Sequence, residues 1–195
     1  MLNTVKLTMS TTSALVQMFT RELEALSGKS YEASSTNDVA RIISEIALRS
    51  GSKRIIKQKL AIDEEDLIVT ELSKHGLQVL ELDDLAQPVV ELARVDLAIT
   101  RADLIIASTG TVVMTTRHDE ERLASCLPRV HVAITHLTNI VPEPKDASNY
   151  VREQLTNEPH CTISFVSGPS RTADIEMKLI LGVHGPHEVH VILKR

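Results

Sequence analysis

The strongest constraint on this chain is an alternation that begins near residue 37. Segments with apolar residues at helical spacing take turns with short apolar runs rich in Val, Ile and Thr. Asn37 and Asp38 cap a helix whose apolar face holds Ile42, Ile43, Ile46 and Ala47 and whose end is Gly51. A strand is expected at 54–57. The next helix carries Asp63, Glu64, Glu65 and Asp66 in its first turn, where they complement the helix dipole, and stops at Gly76. A strand at 77–82 and a helix at 85–94 follow, with Pro88 in the first turn, where a missing N–H costs nothing. Strands at 98–100, 104–107 and 112–116 are joined by tight turns. Beyond them the pattern predicts a helix at 118–125, a strand at 129–136, a helix at 145–155, a strand at 162–166, a helix at 172–181 and a closing strand at 188–193. Strands alternating with helices predict an α/β sandwich around a mostly parallel, doubly wound sheet. The 98–116 stretch breaks the alternation and predicts some antiparallel or crossover strands.

The first 36 residues read differently. Leu15, Val16, Met18, Phe19, Leu23 and Leu26 form an amphipathic helical pattern after Ser10, Thr11 and Thr12, with Gly28 as its stop. The serine-rich stretch 29–36 reads as a linker or loop. The expected organisation is therefore an N-terminal helix and linker over 1–36, followed by one α/β domain over 37–195.

Composition narrows the function classes. The 195 residues suit a single domain able to bury its own core. A net charge of -5 argues against a nonspecific nucleic-acid binder, and 2% aromatics with no Trp argue against base-stacking platforms. No apolar run approaches the roughly 18–20 residues of a membrane span. Residues 2–10 lack a sustained apolar core followed by a small-residue cleavage site, so a secretory signal is not expected and a cytoplasmic chain is. Cys126 and Cys161 stand alone, without a CxxC, and are expected to be reduced core residues. They fall short of the roughly four ligands of an iron–sulfur cluster.

Three clusters could carry chemistry. In Ser108-Thr109-Gly110-Thr111 a strand runs into a turn and leaves as another strand. Gly110 permits close backbone approach to a ligand, and Thr109 and Thr111 offer hydroxyls to an anion; the plain structural alternative is a turn between core strands. In Ser167-Gly168-Pro169-Ser170-Arg171-Thr172-Ala173-Asp174 a strand opens into the expected helix, whose free N–H groups and Arg171 suit a carboxylate or phosphate. The alternative is a helix capped by Ser170 with Arg171 in solvent. In Gly182-Val183-His184-Gly185-Pro186 two glycines bracket a histidine with a near-neutral unperturbed pKa, suited to act as base or donor. His187 and His190 follow at spacings of three, but on a turn and a strand they are not expected to face one metal, and no metal site is expected. His131 and His136 read as structural strand residues. The chain has no GxGxxG, Walker A, HExxH or GxSxG motif.

These clusters, in this order, resemble the LUD-domain family and within it the lactate utilization protein C (LutC/YkgG) group. The segments carrying the resemblance are TGT at 109–111, RLASCLPRVHVAI at 122–134, SGPSRTADIE at 167–176 and GVHGP at 182–186. The likeness covers roughly residues 95–193. It implies a Rossmann-like three-layer α/β sandwich of the NagB/RpiA/CoA-transferase type. It also implies a part in oxidising L-lactate to pyruvate beside cysteine-rich and iron–sulfur partner subunits, with no cofactor bound by this chain itself. The family usually has an acidic residue just before TGT, where this chain has Ser108. The resemblance supplies no catalytic residue set, so the site is assigned on physical grounds. Thr109, Gly110, Thr111, Gly168, Ser170, Arg171, Thr172 and Asp174 are expected to hold a small carboxylate, and His184 to take the α-hydroxyl proton. A stand-alone enzyme for a CoA- or phosphate-bearing ligand and a non-catalytic assembly or regulatory protein are the alternatives. Homo-oligomerisation is left open.

Overall fold

A computed structural model describes residues 9–60, 65–173, 179–181 and 184–195. In chain order the elements are α1 (Met9–Ala25), β1 (Lys29–Ala33), α2 (Thr36–Ser50), β2 (Arg54–Lys57), α3 (Glu65–Lys74), β3 (Gln78–Glu81), α4 (Pro88–Leu92), β4 (Leu97–Arg101), β5 (Leu104–Ile106), β6 (Thr111–Thr116), α5 (Asp119–Ala124), β7 (Val130–His136), β8 (Ile140–Val141), α6 (Ser148–Asn157), β9 (Thr162–Val166), β10 (Arg171–Ala173), β11 (Leu179–Leu181) and β12 (Glu188–Lys194).

Six strands form a wholly parallel sheet in the order β1-β12-β7-β4-β2-β3. Alternate side chains point to opposite faces. Ile55, Leu97, Ile99, Val130, Val132 and Ile134 pack against α2 and α3 on one face. On the other face, Ala133, Val191 and Leu193 meet Phe19 and Leu23 of α1, while Ile56 and Ala98 meet α4 and α5. A second sheet, β8-β5-β6-β9, lies beyond α1, with β6 antiparallel to both β5 and β9. Its outer side is covered by Ala147 and Tyr150. The expected layered α/β sandwich is therefore present, and the irregular 98–116 stretch is where the chain leaves the first sheet to build the second.

Four local expectations are corrected. The stretch 29–36 is not a linker: Lys29–Ala33 is strand β1, paired in parallel with β12 from Lys29↔His190 to Ala33↔Lys194. Its Ala33 is buried and its Tyr31 packs on the core, so the segment earns its place by burial despite a polar sequence. Helix α1 is ended by Ser27 in the left-handed region (φ 67), not by Gly28. Helix α2 is capped by Ser35, whose side-chain oxygen accepts from the Asp38 amide at 3.1 Å, while Asp38 accepts from the Ser34 amide at 3.1 Å. Asp38 thus reaches the amide one residue before the cap, where its charge also suits the positive end of the helix. The helix expected at 172–181 is instead the antiparallel pair β10 and β11, registered as Arg171↔Leu181, Thr172↔Ile180 and Ala173↔Leu179. Arg171 therefore stands on a strand and not at a helix N-terminus. Strand preference of the branched Thr172 and Ile180 suits that pairing.

Cys126 and Cys161 are both free, as expected, but neither is a core residue: Cys126 is exposed and Cys161 half-buried. Two histidines are among the core's buried polar residues. His131 and His190 are fully buried on neighbouring strands β7 and β12. His131 meets the Thr100 hydroxyl at 2.8 Å through Nε2, and His190 stacks on Tyr31 while its Nε2 faces Glu188 at 3.2 Å.

Candidate functional site

The three sequence clusters come together in space. The hydroxyls of Thr109 and Thr111 lie 2.7 Å apart, and that of Thr111 lies 2.7 Å from the Ser167 hydroxyl. This joins the TGT turn to the Ser167–Arg171 segment in one hydroxyl chain. The Ser170 amide donates to the Pro186 carbonyl at 3.0 Å, which joins that segment to the His184–Pro186 turn. Gly185 is tight against Ser170, where a Cβ would come within 2.9 Å of the serine's own Cβ. The His187 and Glu188 amides both donate to the Arg129 carbonyl, at 2.8 and 3.1 Å, so this turn is pinned to the segment that leads into β7. The cluster therefore sits at the amino-terminal edge of the parallel sheet, before β7 and β12 begin.

The end of α1 fills the middle of this cluster. Gly110 has φ +57, and a Cβ there would fall 2.4 Å from the backbone nitrogen of Leu23. Gly168 has φ +94, and a Cβ there would fall 2.7 Å from the Leu26 carbonyl oxygen. The close approach that these glycines permit is thus taken up by the last turns of α1. Arg171 reaches the same place, donating from Nη2 to the Ser27 hydroxyl at 3.1 Å. Both Arg171 and His184 are exposed. Thr172 stands on β10, and Asp174, Gly182 and Val183 lie outside the described residues.

Ser108 donates to Glu143 Oε2 at 3.0 Å, and its amide donates to the Pro142 carbonyl. A carboxylate therefore does stand beside the turn, supplied from the Pro142-Glu143-Pro144 loop. No short motif marks that contact, because it joins two segments remote in sequence.

The opposite edge of the sheet carries groups that sequence reading passed over. Five of the six parallel strands end in a titratable residue: Lys57, Glu81, Arg101, His136 and Lys194. The signal was legible as apolar runs closed by a polar residue, as in LAITR and EVHVILK. Two adjoining cavities, of about 200 and 520 Å³, open here, and His136 lines both. Burial lowers the Lys57 pKa, but hydrogen bonds and charge from Glu65 and Glu81 outweigh it and raise it on balance. Among the described residues, no three His, Cys, Asp or Glu side chains converge into a metal-ligating group. No described helix is long and apolar enough to cross a membrane.

Comparison with known proteins fits this architecture. The LUD domain family model matches residues 16–193. Lactate utilization protein C of Bacillus subtilis is 32% identical over 170 residues, covering 83% of this chain and 70% of that protein. The protein of the same name from Anoxybacillus flavithermus is 42% identical over 93 residues, covering 48% of this chain and 41% of its own length. A crystal structure of a DUF162 family protein from Deinococcus radiodurans shares the fold, with a TM-score of 0.65 at 18% identity over 94% of this chain and 98% of that one.

Proposed function

Because the chain belongs to the LUD domain family, we propose that it serves as a subunit of an L-lactate utilization system and holds a small carboxylate where its three motif segments meet. The observation that carries this reading is the convergence itself. Segments far apart in sequence share one hydroxyl chain, Thr109–Thr111–Ser167, with Arg171 and His184 exposed at its margin. Arg171 exchanges its Ser27 partner for the substrate carboxylate, since a charged, bidentate partner outcompetes a neutral hydroxyl. Thr109 and Thr111 hold the second oxygen or the α-hydroxyl, and the Gly168 and Ser170 backbone shapes that wall. His184 accepts the hydroxyl proton. Oxidation to pyruvate also releases two electrons and a second proton, and these leave through cysteine-rich and iron–sulfur partner subunits. Glu143, beside Ser108, supplies the negative charge that the family resemblance leads one to expect in the turn itself.

A lactate:dye oxidoreductase assay tests this, with the chain alone and coexpressed with its two partners. Activity is expected only with the partners. His184→Ala is expected to lower the rate of the complex by about a hundredfold or more, and Arg171→Ala to weaken lactate by on the order of 1.5–3 kcal/mol, read in KM. An intact, cluster-loaded complex that ignores both substitutions removes the assignment. It would favour a non-catalytic assembly role, for which the seating of Gly110 and Gly168 against α1 is the supporting observation.

A further inference from the structure

The carboxyl edge of the parallel sheet is a separate place, reached from the other end of α1. Helix α3, which follows β2, packs on one face of the sheet, while α5, between β4 and β7, packs on the other. The chain thus leaves the adjacent strands β2 and β4 in opposite directions, which opens a crevice between their carboxyl ends. Open α/β sheets bind ligands at such a switch point. Here the smaller cavity is lined by Leu60 after β2, Arg101 at the end of β4 and His136 at the end of β7. The larger one continues from His136 to Lys194 and Arg195, with Val16 and Leu137 as its apolar wall.

Among the described residues, most of the charges that end these strands are paired. Arg101 faces Asp103 at 2.9 Å, Arg195 faces Glu32 at 2.7 Å, and Lys57 faces Glu65 and Glu81. Lys194 is 9% exposed, and among the described residues no carboxylate lies within 4 Å of it. Its ammonium donates to the Thr36 hydroxyl at 3.0 Å, which uses one of its three hydrogens. Thr36 is the first residue of α2, so the lysine sits against the positive end of a helix dipole. Asp38 offsets part of that dipole but is engaged with the Ser34 amide. A buried cation beside a helix N-terminus, short of a counter-charge and lining a cavity, is electrostatically incomplete.

We infer that the crevice beside Lys194 is a second ligand site, which takes the anionic oxygen group, carboxylate or phosphate, of a compact ligand whose apolar side rests on Val16 and Leu137. The anion completes the Lys194 hydrogen bonds and faces the amino end of α2, and His136 closes the side toward the switch point. This site stands apart from the lactate reading, since its residues lie at the opposite edge of the sheet from Arg171 and His184.

Amide-resolved NMR of the full chain, titrated in parallel with inorganic phosphate and with pyruvate, tests it. Saturable shifts are expected at Thr36, His136, Leu137, Lys194 and Arg195, from one anion or both, and the arm that saturates at the lower concentration identifies the class. Lys194→Met is expected to weaken that binding by about tenfold or more, with Lys194→Arg retaining most of it, while Arg171→Ala leaves it unchanged. The site is overturned if neither anion gives saturable shifts there, if the shifts appear only around Thr109 to Arg171, or if Lys194→Met binds as well as the parent. Should the Met variant not fold, the parent's shift map and the Arg variant decide alone. Loss of binding at Arg171 with retention at Lys194 would defeat the lactate pocket and leave this one standing.

Discussion

Mild acid should loosen this protein through His131. The imidazole is fully buried on β7, and burial, reinforced by the nearby His190, holds its pKa down at about 4 from an ordinary 6.5. The local hydrogen bonding explains why it resists a proton. The Thr100 hydroxyl directs its hydrogen to Met114 Sδ at 3.5 Å, so Nε2 of His131 is the donor in its 2.8 Å contact with Thr100. That leaves Nδ1 as a lone-pair acceptor without a partner among the described residues. Protonation would place an N–H on Nδ1 with no acceptor in reach. The sign follows from linkage. The unfolded chain binds the proton near the ordinary value and the native state does not, so the stability is intact above about pH 6.5 and is lost as pH falls toward about 4. At about pH 5 the loss attributable to His131 is about 2 kcal/mol relative to neutral pH. Against a typical native stability of about 5–15 kcal/mol this is a large share. His190, also held down by burial though Glu188 opposes the shift, adds in the same direction. Urea unfolding followed by circular dichroism should show this loss in the parent and a smaller one in His131→Leu. Equal losses in the two proteins would refute the buried-histidine account.

Gly110→Ala forces a Cβ into the α1 backbone at a positive φ, and it should cost on the order of 2–4 kcal/mol in urea unfolding; a change under about 0.5 kcal/mol would mean that α1 is not seated there. Asp96 Oδ2 accepts the Lys53 and Arg54 amides, both at 2.9 Å, at the entry to β2. Asp96→Ala should therefore lower stability by about 1–3 kcal/mol, and a neutral result would show that water replaces both bonds. Lys57, 6% exposed between Glu65 and Glu81, should cost about 3–5 kcal/mol when changed to Ala, because two carboxylates are left without their cation. Its pKa is raised in the native state, so its contribution is intact below the ordinary lysine value and is lost as alkaline pH rises through the raised one; an alkaline unfolding series in which parent and Lys57→Met respond alike would contradict this.

Much of the fold was legible because burial and period agreed. Strands β2, β7 and β12 were expected within a residue or two, since an interior parallel strand is apolar on both faces and its turn residues bound it. The misses lie where tertiary pairing overrode local pattern. Lys29–Ala33 looks like a linker because its residues are polar, yet an edge strand needs only a partner ladder and one inward side chain, and Ala33 with Tyr31 supplies that. The 171–181 segment has charged and small residues that suit a helix, but the structure pairs Arg171–Ala173 with Leu179–Leu181 as antiparallel strands. Helix propensity is a weak prior and lost to that pairing.

The two edges of the sheet show what a motif does and does not reveal. Gly110 and Gly168 stood out because glycine at an ordered turn needs a reason, and the structure gives one: two remote turns close on the end of a single helix. That reason is packing, and the exposed Arg171 and His184 beside it are what extend the argument to chemistry. Lys194 made no such mark, because one lysine at the end of an apolar strand is ordinary in sequence. It becomes unusual only when β12 is placed inside a parallel sheet and the lysine is found buried against a helix start with no carboxylate partner among the described residues. A short motif records residues that one place in the fold demands of several segments at once. An unpaired charge at a sheet's carboxyl edge records a demand that only topology reveals, which is why anion titration tests the second site more directly than motif comparison.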